Sequence, residues 1–495
     1  MSIVVYHKKP KPGNVEIQKA NATLEIAERR VKQAKDDLQA AQKRQEKTTA
    51  LLAGQKAISW EMVTAWMPDD TLSPLKMVLE STPLRQVDRD PTKVSVLKNR
   101  HFNVALPESV IPCNQMYSGR CWMFAGLNIM RRLLIRKYKL NPNFELSQSY
   151  LFFWHYFEQY NDMLNLFYYE RNMSAVERLE YLEKPLHDGG NWITFRRLAH
   201  KYGVVPKKAY RESWPSSHSS EMNTVLCNLL RNDIKDCSII ENEEAFHAFR
   251  DARLQNVMRV LCMCMGRPPV NGFECAEDTM LKKRIVIKGT PHKLFNMLDA
   301  AICIDHHIQL IDDPRQPPGW STTQHQSLQT IPELSYNVRD VDKMAAAVLL
   351  SIRNGVGVWF ACNMNEDVSQ HLQGMADGLY RPDKFIPGSG NPLKMGNPLK
   401  MCKIERMRWG RARCNHAMLL VGVEVSEDDV PISFNIENSW GGSGPGKGFY
   451  KMTAEWFREH VYTAVVHRDF VAQVGIETHP VPENPREYPY YDFFG

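Results

Sequence analysis

A small, polar loop, Asn114-Gln115-Met116-Tyr117-Ser118-Gly119-Arg120, runs directly into Cys121. The cysteine opens an apolar-periodic run through Phe124, Leu127, Met130, Leu133 and Leu134, which predicts a buried helix beginning at the thiol. A thiol at the positive end of a helix is biased toward the thiolate, the nucleophilic form. Arg131, Arg132, Arg136, Lys137 and Lys139 gather toward the other end, where cations suit the helix dipole. Gln115, across a Ser-Gly turn, can return its amide beside the sulfur. Such a nucleophile needs a base and a group that orients the base. Both occur near the other end of the chain, in Asn415-His416-Ala417-Met418-Leu419-Leu420-Val421 and in Ile436-Glu437-Asn438-Ser439-Trp440-Gly441. Each is a β-type apolar run carrying one polar residue of catalytic type. The fold must therefore bring a helix start to two strand segments that lie 295 and 317 residues further on.

Gln115 with Cys121-Trp122, then Asn415-His416-Ala417, then Glu437-Asn438-Ser439-Trp440-Gly441 resemble the pattern of the papain-like cysteine peptidases. Ser118-Gly119-Arg120-Cys121-Trp122-Met123-Phe124-Ala125, the run from Phe144 to Trp154, Asp188-Gly189-Gly190-Asn191-Trp192 and the run from Lys201 to Lys208 resemble its bleomycin hydrolase branch. The resemblance extends from about Pro83 to the last residue. It implies an α+β, two-lobed fold, a helical lobe facing a β-barrel-like lobe, with catalysis in the cleft between them. By the same resemblance Cys121 is the nucleophile, His416 the base and Asn438 the group that orients it, with Trp440 shielding that contact. Gln115 and the Cys121 N–H form the oxyanion hole, and Gly189, Gly190 and Ala417 meet an extended peptide. The C-terminal tail enters the cleft, and the Gly495 carboxylate holds the free α-amine of the substrate. A homohexamer is the implied assembly.

In short papain-like enzymes the His and Asn follow the Cys by roughly 130–150 residues. The longer gap here predicts an insertion, and the branch it resembles builds a helical domain there. The expected organisation is a basic, heptad-bearing extension over 1–58, a lead-in strap over 59–114, a helical catalytic lobe over 115–219, a helical insertion over 220–354, a β-rich lobe over 355–475 and a tail over 476–495. Cys262-Met263-Cys264 and Cys303-Ile304-Asp305-His306-His307 lack the paired spacing of a zinc site, so no metal and no cofactor are expected. Gly-Asn-Pro-Leu-Lys-Met occurs twice over 390–401, a duplicated surface loop without assigned chemistry.

Charge separates the first stretch from the rest. Residues 1–56 carry 12 Lys+Arg against 6 Asp+Glu, and the remainder carries 50 of each sign. Residues 17–52 hold a heptad pattern, with Ile17, Leu24, Val31, Leu38, Gln45 and Leu52 at a and Ala20, Ala27, Ala34, Ala41 and Thr48 at d. Three readings stay open for it: a coiled coil with a helix partner, a solvated helix, and a weak nucleic-acid arm that lacks interleaved aromatics. The eleven cysteines have no disulfide-like cadence. Neither a signal-peptide h-region nor a membrane-length apolar run is found. A reducing, cytoplasmic compartment and no membrane partner are expected. Peptides are the expected substrates, and a cysteine aminopeptidase is the leading reading. A papain-like endopeptidase and a coiled-coil or nucleic-acid-binding assembly protein are the alternatives.

Overall fold

The computed structural model describes residues 31–32, 35, 38–49, 58–67, 73–323, 334–381, 401–488 and 492–494. They divide into two compact units, Met1–Thr82 and Pro83–Gly495. In the first, residues 38–49 are helical, and Val31 and Leu38, two of the heptad a positions, are exposed. Ser59 caps the helix Trp60–Trp66 by accepting the Met62 N–H at 3.2 Å, and none of the helix's residues is buried. Much of the 17–52 heptad, and the 390–401 repeat apart from Met401, lie outside the described residues.

The second unit is mixed α and β. The helix Cys121–Tyr138 begins at the thiol and ends where Lys139 takes a left-handed conformation. Ser147 caps Gln148–Tyr169 through the Tyr150 N–H at 3.1 Å, and Asn191 caps Trp192–Tyr202 through the Thr194 N–H at 2.9 Å. The three helices bury Phe124, Phe152 and Phe195 completely. Gly126 is what lets the first approach the third, because a Cβ there would lie 2.7 Å from the Phe195 ring.

Their partner is a 12-stranded sheet. Its centre runs from Val461–His467 through Val358–Cys362, His416–Val425 and Pro431–Glu437 to Phe449–Thr453, all antiparallel neighbours. The register sets His416 opposite Cys362 and Leu419 opposite both Trp359 and Glu437. Residues 220–354 supply the helices Ser220–Cys237 and Glu243–Met265. They also supply strands. Phe273–Asp278 and Arg284–Gly289 form a hairpin, and His307–Ile311, Gly319–Thr323 and Ser335–Asn337 extend the main sheet. His307–Ile311 pairs with Val461–His467, so its apolar run is a sheet strand and not a helical segment.

One buried ionic cluster joins the helix to the sheet. Glu437 is 2% exposed, and its carboxylate accepts from Arg131 Nη1 at 3.3 Å, Arg132 Nη2 at 2.5 Å and Asn128 Nδ2 at 3.1 Å. Arg131 and Arg132 are therefore buried partners of the sheet rather than solvated cations near the helix end. Removing one member of such a cluster strands the others in a low-dielectric interior, at a cost of about 3–5 kcal/mol. Glu437→Gln is expected to lower the urea midpoint of unfolding by an amount corresponding to that loss; an unchanged midpoint would contradict the clamp.

Candidate active site

The helix Cys121–Tyr138 has no side-chain cap; the Trp122 N–H reaches the Cys121 sulfur, while those of Met123 and Phe124 donate to the Arg120 carbonyl. Across from it His416 is the first residue of the strand His416–Val425, and Asn438 follows directly on the strand Pro431–Glu437. His416 Nε2 donates to Asn438 Oδ1 at 2.9 Å, which leaves Nδ1 for the hydrogen bond to the Cys121 thiol. The Ser439 N–H donates to the same Oδ1 at 2.8 Å, fixing which end of the amide faces the ring. Trp440 lies over His416 with ring centroids 4.8 Å apart and excludes water from that face.

The electrostatics follow from this geometry. Burial alone would push the Cys121 thiol up. The facing His416 charge, its hydrogen bond and the N–H groups of Ala417 and Trp122 outweigh burial and hold the thiol below its ordinary value. Burial would likewise pull His416 down, but the Cys121 sulfur and Asn438 hold the imidazole above its ordinary value. Each group favours the charged form of the other, which biases the pair toward thiolate and imidazolium. The other nearby thiols differ. Cys414 is exposed at the cavity wall, and Cys113 is raised by burial beside Asn128 and Arg131.

Gln115 is buried and is held from two sides. Its N–H donates to the Ser439 carbonyl at 2.8 Å, and its Oε1 accepts from Ser439 Oγ at 2.5 Å. Nε2 donates one hydrogen to the Ser118 carbonyl at 2.5 Å, and its second is available to the cavity that Gln115 and Cys121 line. Arg120, fully buried, steadies the same loop through Ser118 Oγ at 2.8 Å and pairs with Glu212 at 3.1 Å.

That cavity has a volume of about 770 Å³. Gly189, Gly190, His416 and Ala417 also line it, so every predicted site residue just named meets there except Asn438 and Trp440, which stand behind His416. Gly190 is required because a Cβ would lie 2.6 Å from the Trp122 ring. The Gly189 carbonyl is already engaged by His155 Nε2 at 3.0 Å, which leaves Gly190 as the freer stretch of wall. His155 is neutral, since burial pulls it down to about 3. The Ala417 N–H points at the Cys121 sulfur at 3.4 Å, and Ala417 lines the cavity. Gly495 lies outside the described residues.

Two features escape a reading of motifs, Asp188 and Ser439. Asp188 accepts from the Gly119 N–H at 2.8 Å, from the Tyr156 hydroxyl at 2.6 Å and from the Ser219 hydroxyl, which ties the loop before Cys121 to the glycine turn. Ser439 orients both Asn438 and Gln115. Phe493 and Phe494 of the tail line the cavity, held by a two-pronged ion pair of Asp492 with Arg315 at 2.8 and 3.0 Å. The hydrogen bonds of Asp188 and Ser439 link segments distant in sequence, so no local pattern marks them.

A buried thiol made acidic by an imidazole that an amide orients defines the class of cysteine hydrolases. The Peptidase C1-like family matches residues 60–495; the chain belongs to that family, in its bleomycin hydrolase branch, and is a cysteine-type peptidase. It is 31% identical over 412 residues to Aminopeptidase C of Lactococcus lactis subsp. cremoris, across 80% of this chain and 91% of that protein. It is 33% identical over 404 residues to bleomycin hydrolase of Rattus norvegicus, across 75% of this chain and 84% of that protein. The crystal structure of PepW from Lactobacillus rhamnosis superposes with a TM-score of 0.74 at 25% identity, covering 87% of this chain and 99% of that one.

Because the thiol is lowered and the imidazole raised, alkylation of Cys121 by iodoacetamide is expected to stay fast from neutral pH well into the acid range. It falls only when acid protonates the thiolate. His416→Ala removes the stabilising charge and is expected to shift the profile toward alkaline pH, with slow reaction at pH 7. Identical profiles for the two proteins would contradict the ion pair.

Proposed function

We propose that this chain is a cytosolic cysteine aminopeptidase that hydrolyses peptide bonds through Cys121, His416 and Asn438. The observation that carries the reading is the sulfur facing an imidazole whose far nitrogen is fixed on Asn438 Oδ1 at 2.9 Å. In this reading the Cys121 thiolate attacks the scissile carbonyl carbon. The oxyanion that forms is stabilised by the Cys121 N–H and the free hydrogen of Gln115 Nε2. The His416 imidazolium then gives its Nδ1 proton to the leaving amine. Neutral His416 next takes a proton from water, whose oxygen attacks the thioester and releases the acid. A neutral Asn suffices as the orienting group because the imidazole is already charged at rest.

The removal of residues from the amino end is supported by the relatives named Aminopeptidase C and by the tail. Phe493 and Phe494 occupy part of the cavity wall, Tyr462 lies tilted against Phe493 with ring centroids 4.5 Å apart, and Arg315 anchors the turn. A tail so placed narrows one end of the cleft, leaving room for few substrate residues beyond the scissile bond. The eleven unpaired cysteines suit a reducing compartment. Among the described residues no helix is long and apolar enough to cross a membrane. Assembly into a homo-oligomer, six copies in the form the resemblance implies, belongs to the same proposal.

Cys121→Ala is expected to abolish hydrolysis, and Gln115→Ala to lower kcat by about 10²–10³ with a smaller change in KM. Retained turnover in the first variant would remove Cys121 as nucleophile. Wild-type enzyme is expected to release single residues from a free-amine peptide and to spare its N-acetylated form. Asp492→Ala, which frees the tail from Arg315, is expected to raise cleavage of the acetylated peptide. Equal cleavage of both peptides by the wild type would favour the endopeptidase reading.

A further inference from the structure

Met116 and Tyr117 follow Gln115 in the loop before Cys121, and neither lines the cavity. The backbone of Tyr117 is held, while its side chain is left open. Its N–H donates to the Ser217 carbonyl at 3.0 Å, and the residue bridges to His218. Its ring lies against the His218 ring, with centroids 5.1 Å apart. His218 in turn stacks on Trp214, with centroids 3.7 Å apart and planes 7° from parallel. The short helix Trp214–Ser217 is fixed by a capping box between Ser213 and Ser216, and Ser217 Oγ meets His218 Nδ1 at 3.1 Å. Even so, Tyr117 is 76% exposed, Trp214 is 70% exposed and Met116 is exposed beside them in the loop. Large rings held in place, contiguous and open to water, mark a surface that another molecule covers.

The place of this patch points to the peptide itself. The cavity beside Cys121 is walled by Gly190, Ala361 and Thr463 and by Phe493 and Phe494 of the tail, and it takes the acyl side of the substrate. Trp440 lies over His416 but outside that cavity. The loop that leads to Cys121 starts against Trp440: Asn114 bridges to it, and the Gln115 N–H donates to the Ser439 carbonyl at 2.8 Å. The leaving amine meets His416, so the residues behind it run out past Trp440 and this loop. Tyr117 stands four residues before Cys121, a reach of at most about 14 Å. The bond from Gln115 Nε2 to the Ser118 carbonyl draws the loop in further. An extended peptide advances about 3.3 Å per residue, so its second and third residues after the scissile bond come within side-chain reach of Tyr117.

We infer that Tyr117, His218 and Trp214 form a platform for the leaving side of the peptide, selecting an aromatic side chain at the second or third residue after the scissile bond. The inference rests on the reading of Cys121 as nucleophile and His416 as donor to the leaving amine. An aromatic side chain gains most on such a surface, since it can lie offset on one ring and edge-on to the next. The rings are already ordered by the Ser213–Ser216 cap and the Tyr117–Ser217 bond, so little side-chain freedom is lost on binding. The Gln115 loop would then serve both ends of the reaction, with its amide at the acyl carbon and its tyrosine on the departing chain.

The test uses full-length enzyme and free-amine peptides of alanine and glycine, with and without one phenylalanine at the second or third residue after the cleaved bond. Mass spectrometry fixes which bond is cut. Each pair of peptides competes in one reaction, so the ratio of their kcat/KM values does not depend on the amount of active enzyme. The wild type is expected to favour the phenylalanine peptide at one of the two positions by about two- to tenfold, the range of one aromatic pair. Trp214→Ala and Tyr117→Ala are expected to bring that ratio toward one, and Trp214→Phe to keep most of it. The same peptides titrated onto Cys121→Ala protein give the comparison without turnover, so loss of cleavage would count against the nucleophile while the binding preference still reports on the platform. A ratio near one in the wild type would overturn the platform. So would a ratio unchanged in both alanine variants, and if their assembly size fell at the same time the aromatics would belong to a contact between subunits.

Discussion

The site depends on one constraint: the start of a helix must be held in fixed register against the ends of strands far along the chain. Glu437 supplies much of that register. It sits immediately before Asn438, and its buried carboxylate holds Arg131 and Arg132 from the helix that Cys121 begins. A buried ion pair adds little stability compared with apolar packing, but it punishes misalignment heavily. The cluster therefore acts as a positional lock. The orienting amide of Asn438 and the nucleophile's helix are set by the same carboxylate.

From that lock the local chemistry follows. Asn438 and Ser439 lie side by side, one holding His416 and the other holding Gln115. A single turn of backbone thus positions the His416 imidazole and the Gln115 amide together, and Trp440 closes over the ring. On the opposite wall Asp188 fixes the loop before Cys121 to the glycine turn. The reacting atoms sit between two rigid supports, so little reorganisation is needed when charge develops.

The chemistry was legible in the sequence because Cys121, His416 and Asn438 each carry a local signature, a helix start or an apolar strand with one polar residue. Gly189 and Gly190 were legible for the same reason, since a glycine pair marks a close approach of backbone. What stayed hidden is long-range. Arg131 and Arg132 read as helix-end cations because the periodicity cannot show a buried carboxylate 305 or more residues away. The Ala417 N–H turns to the sulfur, which no pattern of side chains encodes. The strand His307–Ile311 lay inside a stretch read as helical, since short apolar runs fit either state until their partners are known.

The central claim is that sulfur and imidazole exist as a charged pair at rest, each sustained by the other. The most direct measurement is the ¹⁵N resonance pattern of the His416 ring at pH 7, in wild-type protein and in Cys121→Ala. The account expects a doubly protonated ring in the wild type and a neutral one when the sulfur is gone. A neutral ring in both proteins would contradict it.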